Sequence, residues 1–120
     1  LHVPFSSMTK NMVGREEINM MKSETILINT SRGGVVNEDD LYFALENRKL
    51  AGAGLDVFER EPYMGPLTRI DRCILTAHMG SMSIDCRCQM EREATEEIVR
   101  FKSGSDLKYL VPDSEFSNQI

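Results

Sequence analysis

The sequence predicts an α/β fold with a mostly parallel sheet, and three observations support this. Short apolar runs that suit buried strands alternate along the chain with longer segments of helical periodicity. Polar residues of functional interest follow the apolar runs, and ligands of such sheets bind beyond the carboxyl ends of the strands. The 120 residues amount to one domain at most, with no internal repeat and no low-complexity linker.

Three apolar runs are predicted to be strands. TILINT (25–30) is short and is followed by turn residues, which is typical of a buried parallel strand. The other two runs are GAGLDVF (52–58) and CILTAH (73–78). The opening LHV resembles the end of a further strand, which Pro4 stops because proline donates no ladder hydrogen bond. Since the chain begins in this way and without Met, we expect it to be a fragment of a longer protein.

Three segments are predicted to be helical. The first, TKNMVGREEINMMK (9–22), is expected to break or restart near Gly14. The second, NEDDLYFALENRK (37–49), has Asn37 as a cap and three acidic residues at the positive end of its dipole. The third, SIDCRCQMEREATEEIVRFKSG (83–104), is a long amphipathic helix whose apolar residues share one face. Its last residue, a glycine, is expected to end it, and the tail beyond is expected to fray.

Composition and charge limit the classes of function. The net charge is −5, so the chain lacks the clustered cations that a nucleic-acid groove or a membrane-surface helix needs. No apolar run approaches the roughly 18 residues that span a bilayer, and no secretory signal opens the chain. We therefore expect a cytoplasmic protein with neither nucleic acid nor membrane as a partner. Cys73, Cys86 and Cys88 are expected to be reduced thiols that hold no metal.

Polar side chains follow the predicted strands. Arg32 follows ILINTS, Asp56 and Glu61 follow GAGL and DVFER, and His78 closes CILTAH. Because the carboxyl ends of parallel strands meet at one edge, we expect a guanidinium, carboxylates and an imidazole to converge there. Each residue has a plainer explanation in isolation: a structural histidine, a solvated glutamate, a paired arginine, an aspartate that braces a turn. Their joint occurrence at one edge favours a functional site.

Three motifs carry a resemblance to a known family. They are N-x-x-R-G-G, L-D-V-F-x-x-E-P and a strand that ends in His-x-Gly, found in ILINTSRGG, LDVFEREP and ILTAHMG. In this order and spacing the chain resembles the D-isomer-specific 2-hydroxyacid dehydrogenases, which include 3-phosphoglycerate, glycerate, formate and D-lactate dehydrogenases. The resemblance covers about residues 1–101. It implies the second half of a Rossmann-type, doubly wound parallel sheet, with a long C-terminal helix that returns toward a substrate domain absent from the sequence.

The resemblance also implies a division of the chain and a limit on its binding. Residues 1–82 would be the C-terminal half of the NAD-binding domain, and residues 83–120 the connecting helix and the tail of the substrate domain. The G-x-G-x-x-G turn that grips the cofactor pyrophosphate in this family does not occur in the 120 residues. The acidic residue that holds the adenosine ribose is missing as well, so NADP is not excluded as the cofactor in place of NAD. We expect the isolated chain to bind NAD poorly and to be inactive.

Roles for single residues follow from the same resemblance. Arg32 would bind the substrate carboxylate and the reacting oxygen, His78 would be the general acid–base, and Glu61 would pair with it. Histidine and arginine suit these tasks, because a neutral imidazole takes a proton near pH 7 and a guanidinium binds a carboxylate in bidentate fashion. The implied contacts to the cofactor are Val3, Pro4, Thr30, Ser31, Arg32, Asp56, His78, Gly80 and Ser81.

The predicted function is therefore an NAD-dependent dehydrogenase of a small D-2-hydroxy acid, acting as a homodimer. Two other interpretations stay open. In the first, the chain belongs to an NAD(H)-binding transcriptional corepressor, since such proteins share the fold and can retain the arginine, the glutamate and the histidine. In the second, the chain is a remnant that only packs or dimerises. The acid itself is open, although the PFSS and GGVVNEDDL segments lean slightly toward the 3-phosphoglycerate branch.

Overall fold

The computed structural model describes residues 1–113 of the chain. They fall into two compact units, one formed by Leu1–Met79 and one that begins at Gly80. The first unit holds the sheet, two α-helices and a short 3-10 helix at Pro66–Arg69, and the second holds the long helix. The end of the tail that was expected to fray lies outside the described residues.

The first unit is built on a three-stranded parallel sheet, which confirms the predicted class. Its strands are β1 (Ile26–Asn29), β2 (Gly52–Leu55) and β3 (Cys73–Leu75), in the spatial order β1-β2-β3. Each strand is shorter than the apolar run that predicted it. The residues that follow the strands therefore lie together at the carboxyl edge of the sheet.

One face of this sheet is buried and the other is exposed. Alternate residues of β1 point into the core, as the two-residue period of a strand requires. The buried face carries Leu27, Asn29, Ala53 and Leu55, and helices from the same unit supply Ile18, Leu41, Ala44 and Leu45 to the same core. On the opposite face Ile26, Ile28 and Ile74 are 63%, 55% and 72% exposed.

The first predicted helix is wrong over its first half. Helix α1 covers only Arg15–Met20, after a restart at the glycine that the sequence indicated. Upstream, the Thr9 hydroxyl accepts from the Ser6 N–H at 2.8 Å and donates to the Pro4 carbonyl oxygen at 2.7 Å. Asn11 has a positive φ of 51°. A hydroxyl that bonds the local backbone competes with helical hydrogen bonds, so this stretch forms turns.

The other two helices form close to where the sequence predicted them. In helix α2 (Glu38–Glu46), the Asn37 side chain accepts from the Asp40 N–H at 3.0 Å, as expected of the cap. It ends three residues before the predicted boundary of 49. Helix α3 (Ile84–Ser103) ends at a glycine with a left-handed φ of 69°. No residue of α3 is buried in the described structure, so its apolar stripe faces outward.

The opening LHV is not a strand, contrary to expectation. The ammonium of Leu1 donates to the Ile28 carbonyl oxygen at 2.8 Å, and that single bond does not make a ladder. The three cysteines are free thiols, as predicted, and burial raises the pKa of Cys73 to about 11. Within the described residues, no helix combines the length and apolar character needed to cross a membrane.

Candidate active site

Arg32 lies in a turn directly after β1, and a buried amide shapes that turn. The Asn29 Oδ1 accepts from the Ser31 N–H at 3.1 Å and from the Ser31 hydroxyl at 2.7 Å. The Asn29 Nδ2 donates to the Arg32 carbonyl oxygen at 3.0 Å. Asn29 was not among the predicted site residues, although it is the first residue of the N-x-x-R-G-G motif.

The glycines after Arg32 allow the turn to pass close to other backbone. A Cβ at Gly33 would overlap the carbonyl oxygen and carbon of Phe58, so a larger residue there would force one of the two segments to move. Gly34 has a φ of +77°, a conformation that favours glycine. The turn after β1 is therefore packed against the segment that follows β2.

Glu61 and His78 form a direct pair. The His78 Nδ1 lies 2.9 Å from the Glu61 Oε2, and the Glu61 Oε1 accepts from the Phe58 N–H at 3.1 Å. The hydrogen bond to His78, followed by that from Phe58, holds the pKa of Glu61 below its ordinary value of 4.5. An ionised Glu61 favours the tautomer with its proton on Nδ1. The Nε2 of His78 is then the nitrogen that can exchange a proton with a substrate.

Asp56 anchors the backbone around His78. Its buried carboxylate accepts from the Met79 N–H at 2.8 Å and from the Thr76 hydroxyl. Its carbonyl oxygen accepts from the His78 N–H at 2.8 Å. His78 has a positive φ of 52°, which is uncommon for a residue other than glycine. Asp56, which directly follows β2, thus fixes the backbone that carries His78 after β3.

Arg32, Glu61 and His78 line one cleft with a volume of about 560 Å³. The Glu61 and His78 side chains are 38% and 48% exposed, so the pair is open to a ligand. The Arg32 guanidinium donates to the Ser31 carbonyl oxygen at 2.7 Å. Within residues 1–113 it forms no salt bridge, which leaves its charge available to an anion.

The residues that were expected to contact the cofactor are spread over both units. In the first unit, Asp56 is buried, Val3 and Ser31 are half-buried, and Pro4 and Thr30 are exposed. Gly80 and Ser81 belong to the second unit. Phe58, which touches both the Arg32 turn and Glu61, was missed by the sequence analysis. Its place in L-D-V-F-x-x-E-P was the available signal.

Comparison with known proteins agrees with this architecture. The family described as D-isomer specific 2-hydroxyacid dehydrogenase, NAD binding domain, matches residues 1–80. The chain belongs to this family. The predicted membership, the Rossmann-like α/β fold and the NAD-binding class of this 2-hydroxyacid dehydrogenase domain are thereby confirmed.

The chain matches part of several longer relatives. The glyoxylate reductase of Korarchaeum cryptofilum (strain OPF8) is 43% identical over 106 residues, which cover 87% of this chain and 32% of the relative. The D-3-phosphoglycerate dehydrogenase of Escherichia coli (strain K12) is 39% identical over 114 residues, covering 89% and 28%. The crystal structure of a glyoxylate reductase from Paecilomyes thermophila matches with a TM-score of 0.90 at 31% identity, covering 95% and 35%. The chain therefore spans about a third of the length of these relatives.

Proposed function

We propose that the protein containing this chain is an NAD-dependent D-2-hydroxyacid dehydrogenase. The observation that carries the proposal is the Glu61–His78 pair, 2.9 Å apart, in the same cleft as the Arg32 guanidinium. Oxidation of a hydroxy acid, or reduction of an oxo acid, requires a site for the substrate carboxylate next to a group that can take or give a proton. Arg32 can supply the first, and His78, held by the Glu61 carboxylate, can supply the second. Because the chain spans about a third of its relatives' length, the proposal concerns the whole protein.

Each of the three residues has one task in this reaction. Arg32 holds the substrate carboxylate, since a guanidinium offers two parallel donors in a fixed plane. In the oxidative direction His78 takes the hydroxyl proton on Nε2 while the hydride leaves C2, and in the reductive direction it returns that proton to the carbonyl oxygen. Glu61 keeps the proton on Nδ1 and stabilises the imidazolium that forms. The nicotinamide, when bound, accepts or supplies the hydride.

The residues present fit the nicotinamide end of a dinucleotide together with a small acid. The cleft volume of about 560 Å³ lies within the range of roughly 300–1,000 Å³ that small-molecule sites have. We propose these contacts to the cofactor: Val3, Pro4, Thr30, Ser31, Arg32, Asp56, His78, Gly80 and Ser81. The acidic residue that would separate NAD from NADP is not identified among the 120 residues, so turnover with NADH and with NADPH should be compared directly.

The test is turnover of 2-oxo acids by the whole protein with NADH, using glyoxylate and 3-phosphohydroxypyruvate as the two probes. We expect His78→Gln to lower kcat by about 10²–10⁴, because general acid–base assistance is typically worth that much. The melting temperature should stay close to wild type. The matched control is His2→Gln, at the other histidine of the chain, which should leave kcat unchanged. Full turnover by His78→Gln would refute the proposed role.

The same variants separate the enzyme from the two alternatives that the sequence left open. A corepressor or a packing remnant would show no turnover of either probe, and its partner binding or dimerisation would be insensitive to His78→Gln. We further propose that the whole protein is a homodimer, which sedimentation velocity can test. An enzyme should lose turnover with its fold and assembly intact.

A further inference from the structure

Asn29 is a buried polar side chain that the proposed mechanism does not use. It is 1% exposed and lies at the carboxyl end of β1. A buried amide must find hydrogen-bond partners, and within residues 1–113 the Asn29 side chain finds them in Ser31 and Arg32. The amide therefore specifies one conformation of the turn that carries Arg32.

Asn29 also ties this turn to the neighbouring strand. Its carbonyl oxygen accepts from the Asp56 N–H at 3.0 Å. The backbone of Asn29 therefore holds the start of the turn to the end of β2, and its side chain holds the rest of the turn. The Arg32 side chain is exposed, and its guanidinium bonds only to the Ser31 carbonyl oxygen among the described residues. The position of the guanidinium is thus set by the turn, and the turn is set by the Asn29 amide.

We propose that Asn29 is a positioning residue for Arg32, which affects substrate binding through the backbone of the turn and makes no contact with the substrate. The inference depends on the proposed function, in which Arg32 binds the substrate carboxylate. Bidentate recognition needs both donors aligned with the two carboxylate oxygens. A displacement of about 1 Å can cost on the order of 100-fold in rate.

The test is a double-mutant cycle in the whole protein. Asn29→Asp has the same shape and keeps the acceptor for Ser31, but it has no donor for the Arg32 carbonyl oxygen. We expect the KM for the 2-oxo acid to rise by about tenfold or more, with a smaller change in kcat. In an Arg32→Gln background the same substitution should change kcat/KM by less than about threefold, because the group through which Asn29 acts is gone.

Leu27→Val is the matched control. Leu27 lies on the same strand and the same buried face and is 6% exposed, so the substitution should lower stability and leave the KM unchanged. If Asn29→Asp does not fold, Asn29→Ala, which buries no charge, is measured in the same cycle and must show the same pattern.

Two results would overturn the inference: an unchanged KM in the Asn29 variant, or an equal loss in both backgrounds. A fully active Arg32→Gln variant would instead refute the proposed function itself. The failure of the inference and the failure of the proposed function are therefore distinguishable.

Discussion

Glu61 is a partly exposed carboxylate whose ionisation is nevertheless set by two specific donors. The His78 ring and the Phe58 N–H both favour the charged form, which is why its pKa lies below 4.5. Since the folded-state pKa is lowered, the stability contributed by this carboxylate is present above about pH 4.5 and is lost as the pH falls through the lowered value. Water screens the pair, so its contribution to the free energy of unfolding should be small.

We predict that His78→Ala raises the pKa of Glu61 back toward 4.5, because the largest cause of its lowering is removed and the Phe58 N–H is left as the donor among the described residues. A carbon-13 NMR titration of the glutamate carboxyl groups measures this directly. Glu17 is the internal control, since its pKa is lowered by the Gly14 N–H and owes nothing to His78. An unchanged Glu61 titration in the variant would show that the pair does not form in solution.

At the scale of elements, the site depends on the contact between the turn after β1 and the segment after β2. Phe58 lies in the segment after β2, and its backbone N–H and carbonyl group contact different parts of the site. Its N–H donates to Glu61, and its carbonyl group lies where a side chain on Gly33 would be. Movement of this segment would therefore disturb the carboxylate and the Arg32 turn together.

Two glycine substitutions test that contact. Gly33→Ala should destabilise the fold by about 1–3 kcal/mol, as forced overpacking does, and should lower kcat/KM. Gly54→Ala is the control on β2, since its new methyl group would meet only the Ile28 side chain, at 3.9 Å. That change should be neutral or stabilise by about 0.4–1 kcal/mol, because it restricts the unfolded chain. Urea unfolding measures both effects, and a Gly33→Ala variant as stable as wild type would contradict the close approach.

At the scale of the whole molecule, the three proposed catalytic residues lie in one unit, and the phosphate-binding glycine motif is absent from the sequence. Arg32, Glu61 and His78 lie within Leu1–Met79, and the 120 residues contain no G-x-G-x-x-G turn. One sheet face and the apolar stripe of α3 are exposed in the described residues. Exposed apolar surface of this extent is typical of a region that packs against further protein.

We predict that the isolated 120-residue chain binds NAD poorly and has no dehydrogenase activity, because the pyrophosphate and the adenosine would find no dedicated site. Isothermal titration calorimetry of the isolated chain measures this, with the whole protein as the positive control. A dissociation constant in the micromolar range for the isolated chain would contradict the prediction.

The sequence by itself determined the parallel α/β class, the starts of α2 and α3, and which polar residues follow which strand. These features are local, because the spacing of apolar residues and the cap formed by Asn37 act over a few residues. The end of α3 at Gly104 is local in the same sense. Local patterns failed between residues 9 and 14, where the Thr9 hydroxyl bonds to backbone three and five residues upstream and the chain turns.

Only the tertiary structure decided which backbone groups at the ends of β1 and β2 contact each other. The contact of Gly33 with Phe58 and the bond from Asp56 to Asn29 join residues more than 20 positions apart. Such contacts form only when neighbouring parallel strands pair in a fixed register. The residues involved are separated along the chain by a connecting helix, so no local sequence pattern predicts that they meet. The sequence could therefore predict an arginine, a glutamate and a histidine at one sheet edge, whereas packing selected the backbone that holds them there.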